Sequence, residues 1–203
     1  GPVVIAIPTD VLESKIETED VKRIKINPPL AFPEKVKEVS NLLSNAKKPV
    51  LVVGGQVHTS TRSRELVEEV SNTYNLPVLC TYEHQDIISN DNLHYAGELG
   101  LRPPEPVRKN ALEADLVLVV GHRFNGVPNM AYKFPSSKQM FIHVIPDPNT
   151  IGKIFRTDMG IVADSENFLE QLSKFTNNNT NNERDEWVKL CHHRYLNNDA
   201  TLT

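Results

Sequence analysis

Two adjacent glycines, Gly54 and Gly55, stand where the apolar run Val50–Val53 ends. Because glycine has no Cβ, such a pair lets the backbone approach a diphosphate closely just ahead of a helix N-terminus. The same pair is also typical of a tight turn with positive φ, since no complete GxGxxG sequence surrounds it. Both interpretations are open from the sequence.

A second candidate group follows the most apolar run of the chain, Leu116–Val120, and consists of Gly121, Arg123 and Phe124. The guanidinium group of Arg123 can hold a diphosphate through two parallel hydrogen bonds, and Gly121 would let that ligand approach. The alternative is a surface loop whose arginine forms an ion pair with another domain.

Carboxylates end two further runs, Asp147 after 139–145 and Asp164 after 159–163. An aspartate at the carboxyl end of a strand can accept hydrogen bonds from ribose hydroxyls. Each could equally cap a helix or form an Asx turn. The candidate cofactor-binding residues are therefore Gly54, Gly55, Gly121, Arg123, Phe124, Asp147 and Asp164.

Other polar groups give weaker signals. Cys191–His193 are metal-ligating residue types, but consecutive helical positions point about 100° apart and cannot converge on one ion. Glu83, His84 and Asp86 could exchange protons, although a solvated connecting loop explains them equally well. We therefore expect no metal site and no catalytic residue in this chain.

Strands and helices must alternate to position these residues. Apolar runs predict strands over 50–53, 77–81, 116–120, 139–145 and 159–163. Apolar residues at helical spacing predict helices over 34–46, 61–75, 106–114, 165–175 and 183–196. This alternation predicts an α/β fold with a doubly wound, parallel, Rossmann-like sheet. Residues 82–104 are expected to be irregular, and Pro2–Ile7 has the pattern of a strand without a partner.

Composition narrows the class of protein. The chain has 203 residues, 39% of them hydrophobic, and a net charge of -4, which suits one domain with a packed core. Without a basic stripe, nucleic acid is not an expected partner. No apolar run approaches the roughly 20 residues of a membrane span, and no basic signal-peptide segment opens the chain. The two cysteines stand in unlike contexts, which favours a reducing cytoplasm.

Six segments resemble, in order and spacing, the central domain of thiamine-diphosphate-dependent enzymes of the acetolactate synthase-like family. They are GPVVIAIPTDVL at 1–12, AKKPVLVVGGQ at 46–56, NLPVLCT at 75–81, NDNLHYAGELG at 90–100, ADLVLVVGHRF at 114–124 and IHVIPDPNTIGKIF at 142–155. The resemblance implies a six-stranded doubly wound sheet with helices on both faces, which in some members holds FAD or ADP. Asn125 and Gly126 stand where flavin-using relatives carry an Asp-Asp-rich run, which favours an adenine nucleotide over FAD.

The resemblance also divides the chain. It implies the end of an N-terminal pyrimidine-binding domain over 1–12, a linker over 13–33, the central Rossmann-like domain over 34–175, a polar spacer over 176–182, and a helix over 183–203 that leads towards a C-terminal diphosphate-binding domain. We expect the helix around Trp187 to dock weakly, because its natural partner would be that further domain. The chain is thus expected to be a piece of a longer protein.

The parent protein implied by the resemblance is a 2-keto acid lyase or synthase that uses thiamine diphosphate and magnesium. It would be a homodimer or homotetramer, and the flanking domains would be the partners of this chain. The family's catalytic glutamate and its Gly-Asp-Gly…Asn-Asn motif lie in those flanking domains, so residues 1–203 alone are expected to be inactive. Two alternatives remain: a free-standing nucleotide-binding regulatory module, and a sirtuin-like NAD-dependent deacylase, for which a Gly-Ala-Gly loop and a His-Gly pair are missing.

Overall fold

The computed structural model describes residues 2–57, 60–175 and 182–197. Its strands are β1 (Pro49–Val53), β2 (Val78–Thr81), β3 (Tyr95–Leu99), β4 (Leu116–Val120), β5 (Met140–Ile145) and β6 (Met159–Val162). Its helices are α1 (Thr9–Leu12), α2 (Pro33–Asn45), α3 (Thr61–Tyr74), α4 (Glu105–Leu112), α5 (Ser165–Ser173) and α6 (Asn182–Leu196), with a 3₁₀ turn over Pro148–Thr150. Most of the predicted spacer (176–181) and the end of the chain (198–203) lie outside the described residues.

All six strands are parallel and lie in the order β3-β2-β1-β4-β5-β6. The chain builds one half of the sheet outward from β1, returns to the other side of β1, and builds the second half outward from β4. The strand order therefore reverses between β1 and β4, which pair in register from Pro49–Leu116 to Val53–Val120. The predicted fold class is confirmed.

Two apolar layers enclose the sheet. In β1, Leu51 and Val53 pack in the layer with α2, α3 and α5, while Val50 and Val52 pack in the layer with α4 and α6. Both faces of the central strands are thus covered, which explains why their sequences are continuous apolar runs rather than alternating ones. Within the described ranges, no helix is long and apolar enough to cross a membrane.

Strand β3 lies inside the stretch that the sequence predicts to be irregular, so that prediction is wrong for residues 95–99. Its middle residue, Gly97, has a φ of +107°, and an added Cβ would lie 2.8 Å from both methyl groups of Val107. The strand therefore needs glycine where α4 presses against it. A strand with an internal glycine and no β-branched residue gives a weak sequence signal.

The strand-like run Pro2–Ile7 is not a strand. Its side chains are exposed, to 91% in the case of Val4, and beyond α1 no helix or strand begins before Pro33. A strand requires backbone partners, and no described strand pairs with this segment.

The last helix, α6, docks closely on the domain, and the expectation of weak docking is wrong. Trp187 is only 2% exposed, and its Nε1 donates a hydrogen bond to the carbonyl of Pro49 at 3.0 Å. Val188 and Cys191 are buried beside it, whereas Leu190 is 40% exposed. The helix is an integral part of the layer that covers β1.

Candidate functional site

The turns after the central strands meet at the carboxyl edge of the sheet. The amide of Gly54 donates to the carbonyl of Val120 at 3.1 Å, and that of Gly121 donates to the carbonyl of Val144 at 3.0 Å. These bonds tie the ends of β1, β4 and β5 together at the point where the strand order reverses. In open parallel sheets, ligands bind in the crevice at this point.

Close packing explains the glycines. A Cβ on Gly54 would lie 2.4 Å from the Cβ of His122, and a Cβ on Gly121 would lie 2.8 Å from Ser165 Oγ. Gly121 also has a φ of +72°, which favours glycine, whereas Gly54 and Gly55 do not have positive φ. At Gly55 the nearest atom is Nε2 of the His84 ring, at 2.3 Å, and a ring can swing aside. The positive-φ turn is therefore wrong for Gly54 and Gly55, and the atoms that crowd them belong to His122, Gly121 and His84. Close approach to a diphosphate stays a prediction.

Arg123 is exposed at this edge, and Asp147 lies within its electrostatic influence. Asp147 accepts hydrogen bonds from the amide of Asn149 and the hydroxyl of Thr150, both at 3.0 Å. These bonds, and the charge of Arg123, hold the pKa of the Asp147 carboxyl below its ordinary value. Asp147 thus forms the Asx-type cap that was the alternative to ribose binding, although a carboxylate has further lone pairs to offer.

Asp164 caps α5. Its Oδ1 accepts hydrogen bonds from the backbone amide of Asn167 at 3.0 Å and from the side-chain amide of the same residue at 3.1 Å. Its own amide donates to the carbonyl of Pro29 at 2.8 Å. The structure therefore gives Asp164 a capping role and a contact with the segment that precedes α2.

The side chain of Phe124, another candidate, is buried. It is 1% exposed, and its ring centroid lies 5.6 Å from that of Phe134 and 5.7 Å from that of Phe141. The small cavity that Phe124 lines together with Arg123 has a volume of about 10 Å³, too small for a ligand. Any ligand of Arg123 must lie over the open edge instead.

A carboxylate occupies the N-terminus of α3. Glu166 accepts hydrogen bonds from the hydroxyls of Ser60 and Ser63, at 2.5 and 2.6 Å, and Ser60 caps the helix by accepting from the amide of Ser63. The two hydroxyl bonds hold the pKa of Glu166 below its ordinary value. An anion is thus already present where the helix would attract a phosphate. No sequence pattern predicts this contact, because Glu166 belongs to α5.

Sequence analysis also missed two histidines, the half-buried His122 and the buried His143. His122 Nδ1 accepts a hydrogen bond from the amide of Phe124 at 2.8 Å, and His143 Nε2 donates to the carbonyl of His122 at 2.8 Å. Burial lowers the pKa of both imidazoles, and nearby His84, His143 and Arg123 lower that of His122 further, to about 4. Both rings are therefore neutral at pH 7. The only sequence signal was the placement of His122 directly after an apolar run.

Two buried hydroxyls at the same edge lack partners. Thr81 Oγ1, at the end of β2, and Ser165 Oγ, beside Gly121, have no hydrogen-bond partner among the described residues. Unpaired buried polar atoms are rare in folded proteins, because each carries a desolvation cost of about 1–3 kcal/mol. They mark positions where an additional polar group would be stabilised.

Residues 2–57, 60–175 and 182–197 contain no group of three or more His, Cys, Asp or Glu that could hold a metal ion. Cys191 is buried, which raises the pKa of its thiol, and His192 Nδ1 donates to the carbonyl of Tyr95 at 2.9 Å. In the loop after β2, His84 Nδ1 donates to the carbonyl of Tyr82 at 2.6 Å. These residues have structural partners, and this part of the chain does not fit a magnesium–diphosphate site.

Sequence comparison places this geometry among known proteins. A sequence model of the family described as "Thiamine pyrophosphate enzyme, central domain" matches residues 36–172. The chain is 30% identical over 181 residues to the probable acetolactate synthase large subunit of Methanococcus aeolicus, a match that covers 86% of this chain and 30% of that protein. It is 26% identical over 202 residues to the glyoxylate carboligase of Escherichia coli O157:H7, covering 96% of this chain and 34% of that enzyme.

Comparison with solved structures also finds a similar fold. The benzoylformate decarboxylase of Polynucleobacter necessarius superposes with a TM-score of 0.61 at 24% identity, over 85% of this chain and 33% of that one. At this level of identity the likeness shows the fold alone. The chain spans about a third of the length of the curated relatives it matches.

Proposed function

The chain belongs to the thiamine pyrophosphate enzymes, as their central domain, and we propose that it is the middle domain of a 2-keto acid lyase or synthase and binds an adenine nucleotide. The family membership confirms the resemblance carried by the six motifs and sets aside the sirtuin-like alternative. In the proposed role the domain bridges the two catalytic domains of the parent, and the nucleotide lies at the carboxyl edge of its sheet.

The observation that carries the nucleotide site is the pair of unpartnered hydroxyls, Thr81 Oγ1 and Ser165 Oγ, at the edge where the strand order reverses. Gly121 packs against Ser165, and Arg123 supplies an exposed cation. Hydroxyl groups and a guanidinium are groups that suit a ribose and a diphosphate.

The carboxylate of Glu166 restricts where the phosphates of the nucleotide can lie. Because it occupies the N-terminus of α3, it would repel a phosphate placed directly above Gly54 and Gly55. We therefore place the diphosphate nearer to Gly121 and Arg123, with Asp147 towards the ribose. ADP is favoured over FAD, because Asn125 follows Phe124 in place of the acidic run of flavin-using relatives.

Calorimetric titration of ADP and of FAD into the chain tests the site. Arg123→Ala removes a charge-assisted contact and is expected to weaken ADP binding by about 1.5–3 kcal/mol. Asp147→Asn is expected to cost less, because the amide oxygen still accepts from a hydroxyl. Arg64→Ala, an exposed arginine on α3, is the matched control. ADP binding that is insensitive to Arg123→Ala would move the site elsewhere.

Thiamine diphosphate and magnesium belong to the proposed parent rather than to these residues, since no described ligand set fits a metal. When bound in the parent, thiamine diphosphate supplies the carbanion chemistry on 2-keto acids. We infer that residues 1–203 alone neither bind thiamine diphosphate nor consume pyruvate. Measurable pyruvate consumption by the purified chain would refute this inference.

We also propose an oligomeric state and a cellular compartment for the parent protein. We propose a homodimer or homotetramer in which the flanking domains cover this one. The cytoplasm is the proposed compartment, because Cys80 and Cys191 are both buried free thiols and a reducing environment preserves them.

A further inference from the structure

A second concave surface lies at the carboxyl edge, on the α4 side of the sheet. It is a cavity of about 520 Å³ between the loop after β3, helix α4 and the loop after β4. Its charged lining residues are Arg102, Arg108 and Lys133, and its apolar lining includes Leu101, Val127 and Met130. We call it the cationic pocket. Its volume lies in the range of about 300–1,000 Å³ that is typical of small-molecule sites.

The three cations of the cationic pocket form no ion pair with another described residue. The ion pairs between described residues involve Lys35, Arg62, Lys109, Lys174 and Arg194 instead. Glu105, which begins α4, pairs with Lys109, and Glu98 lines a neighbouring depression on the other side of Arg102. No acidic side chain lines the cationic pocket itself. Three like charges in one concavity repel one another and create a positive potential that an anion would relieve.

One wall of the cationic pocket is a loop in an unusual conformation. Met130, Ala131 and Tyr132 all have positive φ, at 51°, 55° and 66°, which is rare for residues other than glycine. The buried side chain of Asn129 holds this loop, because its Oδ1 accepts from the amide of Tyr132 at 2.9 Å. The carbonyl of Asn129 also accepts from the amide of Lys133 at 3.1 Å. Strained backbone that is fixed by its surroundings is typical of ligand-binding loops.

We propose that the cationic pocket binds the phosphate group of an organic phosphate, at a site separate from the proposed nucleotide crevice. The two guanidinium groups match the geometry of phosphate oxygens, and the Lys133 ammonium adds a third positive charge. Leu101, Val127 and Met130 offer contacts to an apolar part of the same molecule. The proposal uses none of the residues of the nucleotide site, so either can fail without the other.

Phenyl phosphate is the probe for the test, and benzoate is its control, since both carry an aromatic ring but only the first is a phosphate. We expect phenyl phosphate to bind the chain in calorimetric titration at low salt, and benzoate to bind at least about tenfold more weakly. Arg102→Ala and Arg108→Ala are each expected to weaken the binding of phenyl phosphate about tenfold, which corresponds to 1.4 kcal/mol. Arg64→Ala and Arg123→Ala should leave it unchanged.

Several results would overturn the proposal. These are no binding of phenyl phosphate, equal binding of benzoate, or binding that Arg123→Ala abolishes while Arg108→Ala does not. Binding of a poly-glutamate peptide without any binding of phenyl phosphate would assign the surface to an acidic protein partner instead. Because Arg102, Arg108 and Lys133 are exposed, their variants are expected to fold, and an unchanged thermal midpoint verifies this. The ADP titration reports separately on the proposed function.

Discussion

At the carboxyl edge, neutral histidines hold the turns together next to an exposed cation. His122 accepts from the amide of Phe124 and shares its carbonyl with His143, so both rings connect the ends of β4 and β5. Because desolvation keeps His122 neutral at pH 7, the positive charge next to these two rings is that of Arg123. A neutral imidazole lets this guanidinium lie nearby without repulsion.

The stability of the domain should depend on pH through the half-buried His122. In the unfolded chain this imidazole takes up a proton near pH 6.5, whereas in the folded chain it stays neutral down to about pH 4. The unfolded state therefore binds more protons between these values, so the stabilisation is complete above pH 6.5 and is lost as the pH falls. We expect His122→Asn, which keeps an acceptor for the Phe124 amide, to reduce this loss by up to about 3 kcal/mol.

Urea denaturation at pH 4.5, 5.5 and 7 measures this effect. His193→Asn, at an exposed position on α6, is the control, and its stability should depend on pH as that of the unmutated chain does. An identical pH profile of stability for His122→Asn and the unmutated chain would contradict the expectation.

Residue roles can be predicted from sequence when the position in an element determines them. Gly121 and Arg123 were identified because they follow an apolar run, and the structure places both at the sheet edge. The role of Glu166 was not predictable, since it depends on α5 lying beside α3. The choice between ribose binding and capping at Asp164 needed the position of Asn167 relative to the carboxylate. Contacts between distant segments set these roles, and one sequence does not record them.

Helix α6 is fastened to the domain by a buried arginine that caps two other helices. Arg184 donates to the carbonyls of Leu43 and Ala46 at the end of α2, and to that of Tyr74 at the end of α3. Helix C-termini carry partial negative charge and unpaired carbonyls, so one guanidinium serves both. Hydrophobic periodicity could not predict this docking, because its central residue is charged. Strand β3 could not be predicted for a related reason. Its Gly97 is required by the contact with Val107 on α4, and a glycine does not contribute to a hydrophobic pattern.

Loss of this arginine should loosen α6. Arg184→Ala leaves three carbonyls without their donor and is expected to destabilise the domain by about 2–4 kcal/mol. Trp187 is the only tryptophan in the chain and is buried against Pro49, so its fluorescence should shift to longer wavelength if the helix leaves. Lys189→Ala, an exposed change on the same helix, should alter neither signal. A blue, native-like emission combined with unchanged stability in Arg184→Ala would show that α6 does not depend on this residue.

At the scale of the whole molecule, exposed apolar residues are unevenly distributed. Among the described residues, 22 large hydrophobic residues are exposed, and twelve of them lie between residues 2 and 32, a segment without a described strand. Hydrogen bonds of the segment between residues 2 and 27 stay within it, whereas the carbonyl of Pro29 accepts from Asp164 and Ala31 is buried. Such a concentration of apolar surface is typical of a protein–protein interface. We expect the flanking domains of the parent to cover it.

A chain that begins at Pro28 should therefore fold as stably as the full chain and associate less. Residues 2–27 contribute no buried side chain, so their removal is expected to change the free energy of unfolding by less than about 1 kcal/mol. Removal of residues 2–32 also deletes the Pro29 carbonyl and the buried Ala31, and this matched control should cost about 1–2 kcal/mol. Urea denaturation and sedimentation velocity measure the two effects. Two results would contradict this expectation: a shorter deletion that destabilises the domain as much as the longer one, or unchanged self-association. Either would show that the segment packs on this domain rather than against a flanking domain.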